Sequence, residues 1–204
     1  MKYYDITLPL SAATIPWPGD QRFARQENKD KDVAIVSKLT MSSHTGTHMD
    51  APKHFLVSKA GIDSFSLDAL VGEFTVAEMK SKNLISLAEV KKLNVKSGGR
   101  LLFKTRNHKL LAKKKFSADY VSLSLEAAKY LVSKKIKLVG IDYMGIEAKA
   151  APGHPVHKTL LAGKIAIAEG LDLKNVKPGK YFGAILPLLI KNGDGAPTRA
   201  VLWK

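Results

Sequence analysis

The eleven residues HTGTHMDAPKH at 44–54 constrain the fold more than any other stretch, because they gather three of the six histidines of the chain with an aspartate. A helix does not suit them. There His44 and His48 would share a face, but Asp50 at i+6 would fall roughly 120° away, and Thr45, Gly46, Thr47 and Pro52 disfavour helix. On a strand, positions 44, 46, 48 and 50 point the same way, collecting two imidazoles and a carboxylate around side-chain-free Gly46. A flat strand, however, holds His44 and His48 about 13 Å apart at ~3.3 Å per residue, whereas each ligand nitrogen must come within ~2.1 Å of a shared zinc. The segment must therefore bend, and Gly46 is the residue that can bend it. Pro52 then turns the chain and brings His54 round as a nearby histidine that need not be a ligand. Any one of these histidines alone would read as part of a polar surface turn, but four metal-capable side chains in eleven residues favour a metal site.

The chain has no cysteine, so disulfides, thiol nucleophiles and thiolate ligands are excluded together, and a metal here is held by nitrogen and oxygen. One short loop rarely supplies a full ligand set. The segment GHPVHKTLLAGKIAIAEG at 153–170 offers the remainder. In a strand KIAIAEG, Ile165, Ile167 and Glu169 share one face, so a carboxylate ends an apolar row; buried there it needs a partner or a cation, while a strand-end glutamate in water is an equal reading of this residue alone. His154 and His157 are both candidate imidazole ligands, and spacing alone does not choose between them.

The rest of the pattern is mixed. YYDIT (3–7), DVAIVSKLTM (32–41), EFTVAEM (73–79), GRLLFKT (99–105) and IKLVGID (136–142) predict strands, and YFGAILPLLI and RAVLWK close the chain. SLAEVKKL (86–93), LSLEAAKYLVSKK (123–135) and HKTLLAG (157–163, ended by Gly163) predict helices, while the prolines and glycine of TIPWPGD (14–20) predict a loop. Strands outnumber helices in irregular order, which points to an α/β fold with a barrel-like or layered mixed sheet. No repeat or linker breaks the chain, so one domain spanning 1–204 is expected. No apolar run reaches the ~18 residues of a membrane span, and Asp5 interrupts what would be a signal-peptide core, so a cytoplasmic protein without a membrane partner is expected. Thirty-three Lys and Arg against eighteen Asp and Glu give a net charge of +15, which raises the question of nucleic acid. The lysines are scattered and the aromatics, 7% of residues, are not interleaved with them as base stacking requires. A solvated surface mildly attractive to anionic substrates is the simpler reading, with no specific nucleic-acid partner expected.

HTGTHMDAPKHF resembles the signature H-x-G-T-H-x-D-x-P-x-H of the cyclase-like metal-dependent hydrolases, whose best-understood members are bacterial kynurenine formamidases. The similarity extends to WPGD near the start, KLTMSS before the signature, LLFKTRNH, LVGIDY, HKTLLAGKIAIAEGLDL and ILPLLIKNGDGAPTRAVL, nearly the whole chain. It implies a swivelling β/β/α domain, with a barrel-like sheet flanked by helices, that assembles into homodimers or larger oligomers such as tetramers, often completing the active site with a neighbouring subunit. It further implies two divalent metal ions per subunit, zinc or manganese. His44, His48 and Asp50 would hold one, with Asp50 bridging to the second. In the family the downstream histidine and glutamate stand twelve residues apart, a spacing matched by His157 and Glu169 and not by His154. His54 corresponds to the catalytic acid/base, and Trp17 to an aromatic that contacts substrate.

The chemistry implied is hydrolysis of a small aryl amide, N-formylkynurenine, to kynurenine and formate by a metal-activated hydroxide, with His54 passing a proton to the arylamine nitrogen. An isatin hydrolase-like enzyme opening another cyclic amide, lactam or lactone is the nearest alternative. A basic nucleic-acid-binding protein and a non-catalytic metal protein are more distant ones. Arg106 and the lysines of KTRNHKLLAKKKF could attract a substrate carboxylate, but a solvated loop is the favoured reading.

Overall fold

Short β-branched runs punctuated by turns build a strand-rich chain, described by a computed structural model over residues 1–30, 34–57 and 60–204. The strands are β1 (Tyr3–Asp5), β2 (Ala24–Asp30), β3 (Ala34–Thr40), β4 (His48–Asp50), β5 (Val71–Glu78), β6 (Leu84–Ile85), β7 (Arg100–Lys104), β8 (Ser122–Leu123), β9 (Leu138–Ile141), β10 (Ala166–Glu169), β11 (Gly179–Pro187) and β12 (Gly195–Trp203). Between them lie helices α1 (Leu67–Leu70), α2 (Leu87–Lys92), α3 (His108–Leu111), α4 (Leu125–Ser133) and α5 (Pro155–Ala162). None of these helices is long and apolar enough to cross a membrane. Of the expected strand 32–41, residues 32 and 33 lie outside the described residues, and β3 covers 34–40. The polar strand β2, which pairs with it, carries no hydrophobic alternation by which to foresee it.

Local signals set the helix starts. Ser86 and Glu89 form a reciprocal capping box at α2, as the spacing S-x-x-E allows. The Ser124 hydroxyl accepts from the Ala127 amide at the start of α4, at 3.1 Å. Helix α5 begins at Pro155, two residues before the expected start at His157. Proline is well placed there, because its fixed φ suits the first helical position and its missing N–H would have no partner anyway.

The main sheet runs β1-β12-β11-β5-β7-β9-β10-β4, and β4 pairs back onto β12. Seven strands therefore close into a barrel of mixed direction, with β1 added along β12. Side-chain alternation divides it into an inside and an outside. Leu102, Leu138, Ala166, Ala168 and Met49 face the interior cluster. Leu101, Phe103, Val139, Ile141 and Ile167 face outward, onto the layer that includes α2, α4 and α5. By the same alternation Glu169 follows Ile167 to the outer face, and His48 and Asp50 flank inward-facing Met49. Antiparallel pairing then sets Glu169 directly opposite His48 and Ile167 opposite Asp50.

Buried Thr47 ties three parts of the barrel together just before β4. Its hydroxyl donates to the Gly170 carbonyl (2.6 Å) and accepts from the Leu8 amide (2.8 Å), while its own carbonyl accepts from Thr198 (2.9 Å). Thr47→Val keeps the shape and leaves one backbone donor and one acceptor unsatisfied. Equilibrium urea unfolding is expected to show a loss of about 2–4 kcal/mol; a loss below about 0.5 kcal/mol would show that this tie is dispensable.

Candidate metal centre

The bend that the cluster demands is present at Gly46, whose φ is +68°, where a Cβ would run into the Leu10 side chain. Only 48–50 are strand, and the turn before them folds His44 back until its ring lies 5.1 Å from that of His48, edge to face. A turn of 3-10 helix at Pro52–His54 then stacks the His54 ring on that of His44, with centroids 3.9 Å apart and planes 28° apart. From the other region, α5 presents His157 over the end of β10, where Glu169 waits.

Asp50, His48, His157 and Glu169 are nearly inaccessible to solvent. His48 Nε2 lies 3.6 Å from Asp50 Oδ1 and 3.4 Å from Glu169 Oε2. His157 Nε2 lies 3.7 Å from Asp50 Oδ2 and 3.2 Å from Glu169 Oε1. Most of these separations are too long for good hydrogen bonds. They match the edge of a tetrahedron of ligands around a cation with bonds of ~2.1 Å, which is about 3.4 Å. Asp50 Oδ2 is buried and has no hydrogen-bond partner. A buried carboxylate oxygen left unpaired is costly, and a cation among these donors removes that cost, so the donor set fits a divalent metal.

Each imidazole also has its second nitrogen engaged. His48 Nδ1 donates to the Gly46 carbonyl at 3.0 Å, His157 Nδ1 to Glu147 Oε2 at 2.7 Å, and His44 Nε2 to Asp194 Oδ2 at 3.0 Å. This arrangement fixes the tautomers and turns His48 Nε2, His157 Nε2 and His44 Nδ1 towards the carboxylates, as metal-binding histidines require. Glu147 is itself held by the Val156 amide (2.6 Å), and Asp194 by the Ser43 hydroxyl (3.0 Å).

The electrostatics show how strongly the carboxylates call for positive charge. Burial opposes protonation of His44, but Asp194 and Asp50 outweigh it and push its pKa up to about 10. Burial opposes His157 likewise, and Glu147 and Glu169 push it up to about 10. Burial would raise Glu169, yet His157 and His48 hold it well below the usual carboxylate range. Asp50, raised by burial and by Glu169, is brought below its ordinary value by His44 and His48. A proton and a metal ion compete for the same nitrogen lone pairs, so cation binding here releases protons. His54 differs: burial lowers its pKa and keeps the ring neutral.

The structure thus brings His44, His48, Asp50, His157 and Glu169 together, with His54 against His44. His154 lies outside these five, its Nδ1 3.7 Å from Glu147 and its side chain half exposed, although it forms a separate grouping of metal-capable atoms with Glu147 and His157. His44, His54 and Asp194 form a further grouping of metal-capable atoms, but stacked rings aim their in-plane lone pairs along parallel directions and converge poorly on one ion. Trp17 lines the wall of a cavity of about 360 Å³ whose floor is the carboxylate cluster. Arg106 turns away from it, donating to the Lys82 carbonyl (2.7 Å) and to Asp119 (3.0 Å). Sequence reasoning missed Glu147 and Asp194. The only trace of Glu147 is a carboxylate just beyond a buried strand, and that of Asp194 an acid between two glycines in NGDG.

Comparison with known proteins gives this geometry a context. The Cyclase family model, described as "Putative cyclase", matches residues 4–148. A kynurenine formamidase of Salinibacter ruber is 33% identical over 207 residues, covering 99% of this chain and 97% of that protein. The structure of a protein from Bacillus stearothermophilus described as a "predicted metal-dependent hydrolase" is 34% identical and superimposes with a TM-score of 0.87 over 98% of this chain and 97% of its own. A crystal structure of an isatin hydrolase bound to the product analogue thioisatinate, 21% identical, shares the fold with a TM-score of 0.86 over 98% of this chain and 91% of that one.

Glu147→Gln and Asp194→Asn keep the size of the side chains that face His157 and His44. Each is expected to weaken divalent-cation affinity about 10- to 100-fold, read by competition with a chromophoric chelator, while Asp50→Ala abolishes tight binding. Wild-type affinity in both amide variants would remove these carboxylates from the metal centre.

Proposed function

The chain belongs to the Cyclase family, and from that premise we propose that it is an arylformamidase, a metal-dependent hydrolase that converts N-formylkynurenine and water to kynurenine and formate. One observation carries the reading: a buried donor set with an unpartnered carboxylate oxygen, beside the half-buried His54 and under an aromatic wall. The kynurenine formamidases among the relatives supply the substrate.

Two divalent ions, zinc by preference and manganese as the substitute, would be held by His44, His48, Asp50, His157 and Glu169; the all-nitrogen-and-oxygen donor set suits both metals. When bound, such ions polarise a carbonyl and lower the proton affinity of water. The protein groups do the rest. Trp17 gives the aryl ring a flat apolar surface, held edge to face against Phe116 at 5.2 Å. His54 takes a proton from the attacking water as its oxygen bonds to the formyl carbon. As the bond between that carbon and the aryl nitrogen breaks, His54 returns the proton to the nitrogen, so a neutral amine leaves instead of an anion. Asp194, 4.0 Å from His54 Nδ1, stabilises the transient imidazolium.

The proposal extends to a cytoplasmic homo-oligomer, a dimer or tetramer. The hairpin of β2 and β3 exposes Ile35, Val36 and Leu39, and a two-stranded hairpin standing alone is marginal in water, which favours a second copy against it. A cytoplasmic setting fits a chain with no cysteine to oxidise. The isatin hydrolase likeness supports a second reading, ring opening of a cyclic amide, through the fold alone.

Metal-loaded protein is expected to hydrolyse N-formylkynurenine in preference to isatin, and His54→Ala to lower turnover about 10²- to 10⁴-fold with metal content retained. Turnover of isatin alone would replace the first reading by the second, and intact hydrolysis in His54→Ala would remove His54 as the acid/base.

A further inference from the structure

Two charged side chains at the mouth of the cavity take no part in the metal centre. Asp20 and Lys149 both line it, and Lys149 is the one lysine or arginine among the described residues that does so. Among those residues neither has an ion-pair partner, in contrast to Arg106 with Asp119 and Lys137 with Asp68. Both are nevertheless held in place. Trp17-Pro18-Gly19-Asp20 forms a β-turn closed by the Asp20 amide on the Trp17 carbonyl at 3.0 Å. Proline at its second position and Gly19 at φ +100° are the residues of a type II turn. The turn ties Asp20 to Trp17, and the Ser42 hydroxyl donates to Asp20 Oδ2 at 3.1 Å, leaving Oδ1 for another donor.

Lys149 sits in the loop after β9, two residues beyond Glu147. That loop is anchored by Glu147 under α5, by the Tyr120 hydroxyl on the Glu147 carbonyl (2.5 Å) and by the Ala151 amide on Ala148 (2.9 Å). Lys149 Nζ lies 5.0 Å from the centroid of Phe116, the ring packed against Trp17. A cation and an anion therefore flank one aromatic wall, each on an anchored backbone and each without an ion-pair partner among the described residues.

We infer that Lys149 and Asp20 form a subsite for a zwitterionic α-amino acid group, Lys149 receiving the carboxylate and Asp20 the ammonium of a substrate whose aryl ring lies against Trp17. The inference rests on the arylformamidase reading and specifies what that reading leaves open, the basis of selectivity. In N-formylkynurenine the carboxylate is four carbon–carbon bonds from the ring, a reach of about 5 Å at ~1.5 Å per bond, which suits charges set beside the wall instead of beneath it. The floor of the cavity is the donor set around Asp50 and Glu169, where a bound cation would itself attract a carboxylate; Lys149 at the rim offers the substrate carboxylate a competing partner away from the floor and leaves the formyl group to point down.

The test uses metal-loaded enzyme and three arylformamides: N-formylkynurenine, N-formylkynuramine, which lacks the carboxylate, and formanilide, which lacks the whole side arm. Lys149→Met should lower the ratio of kcat/KM for N-formylkynurenine over N-formylkynuramine about tenfold, the loss of one charge-assisted contact, chiefly through KM. Lys149→Arg should keep the ratio. Asp20→Asn should lower the ratio of N-formylkynuramine over formanilide by a similar factor. Wild-type ratios in Lys149→Met and Asp20→Asn would overturn the subsite while leaving the arylformamidase reading in place. Failure of wild-type enzyme to hydrolyse any of the three would overturn that reading, and the subsite with it.

Discussion

An unpartnered oxygen on a buried aspartate governs this structure. Asp50 is almost wholly enclosed, Glu169 is its like-charged neighbour, and Oδ2 receives no hydrogen bond. Carboxylates brought together out of water are unfavourable unless positive charge is brought with them. The surroundings are arranged to supply it: His44, His48 and His157 converge on the pair, and each is oriented from behind by an acceptor. The barrel places the anions, the loops place the imidazoles, and the gap of 3.2–3.7 Å between donor atoms has the dimensions of a coordinated cation.

Alternation along the strands explains why the centre sits outside the barrel. Met49 and Ala168 fill the interior, so His48, Asp50 and Glu169 necessarily face the helix layer. There α5 can lower His157 onto them, and the same face is open at one end, where Trp17 and His54 wall the cavity. An interior location would have needed a far larger barrel, because a seven-stranded one is filled by its own side chains.

Much of this was legible in the sequence, and the reasons are specific. The cluster 44–54 could be read because its members lie within one segment whose geometry can be worked out from chain dimensions, and Glu169 because it ends an apolar row with period two. Strands such as 100–104 and 138–141 announce themselves as buried runs between glycines and polar turns. Glu147 and Asp194 could not be read, since their roles depend on His157 and His44 being carried to them by tertiary structure; their neighbours in the chain show nothing of it. The choice between His154 and His157 also needed more than residue type, as His154 adopts a left-handed conformation before α5 and stays outside while His157 turns inward. The polar hairpin partner β2 has no pattern that distinguishes it from loop.

Strand β4 is three residues long, yet it pairs with β10 on one side and β12 on the other. It is the seam at which the cylinder closes, and two of its three side chains are candidate ligands. Whatever fastens His48 and Asp50 to Glu169 therefore also fastens the first third of the polypeptide to its last third. No fragment can own the centre: the donors come from residues 44–50 and 157–169, and the seam is lined by 195–197. Loading with a cation would lock a closure that the short strand alone secures with only a few backbone hydrogen bonds.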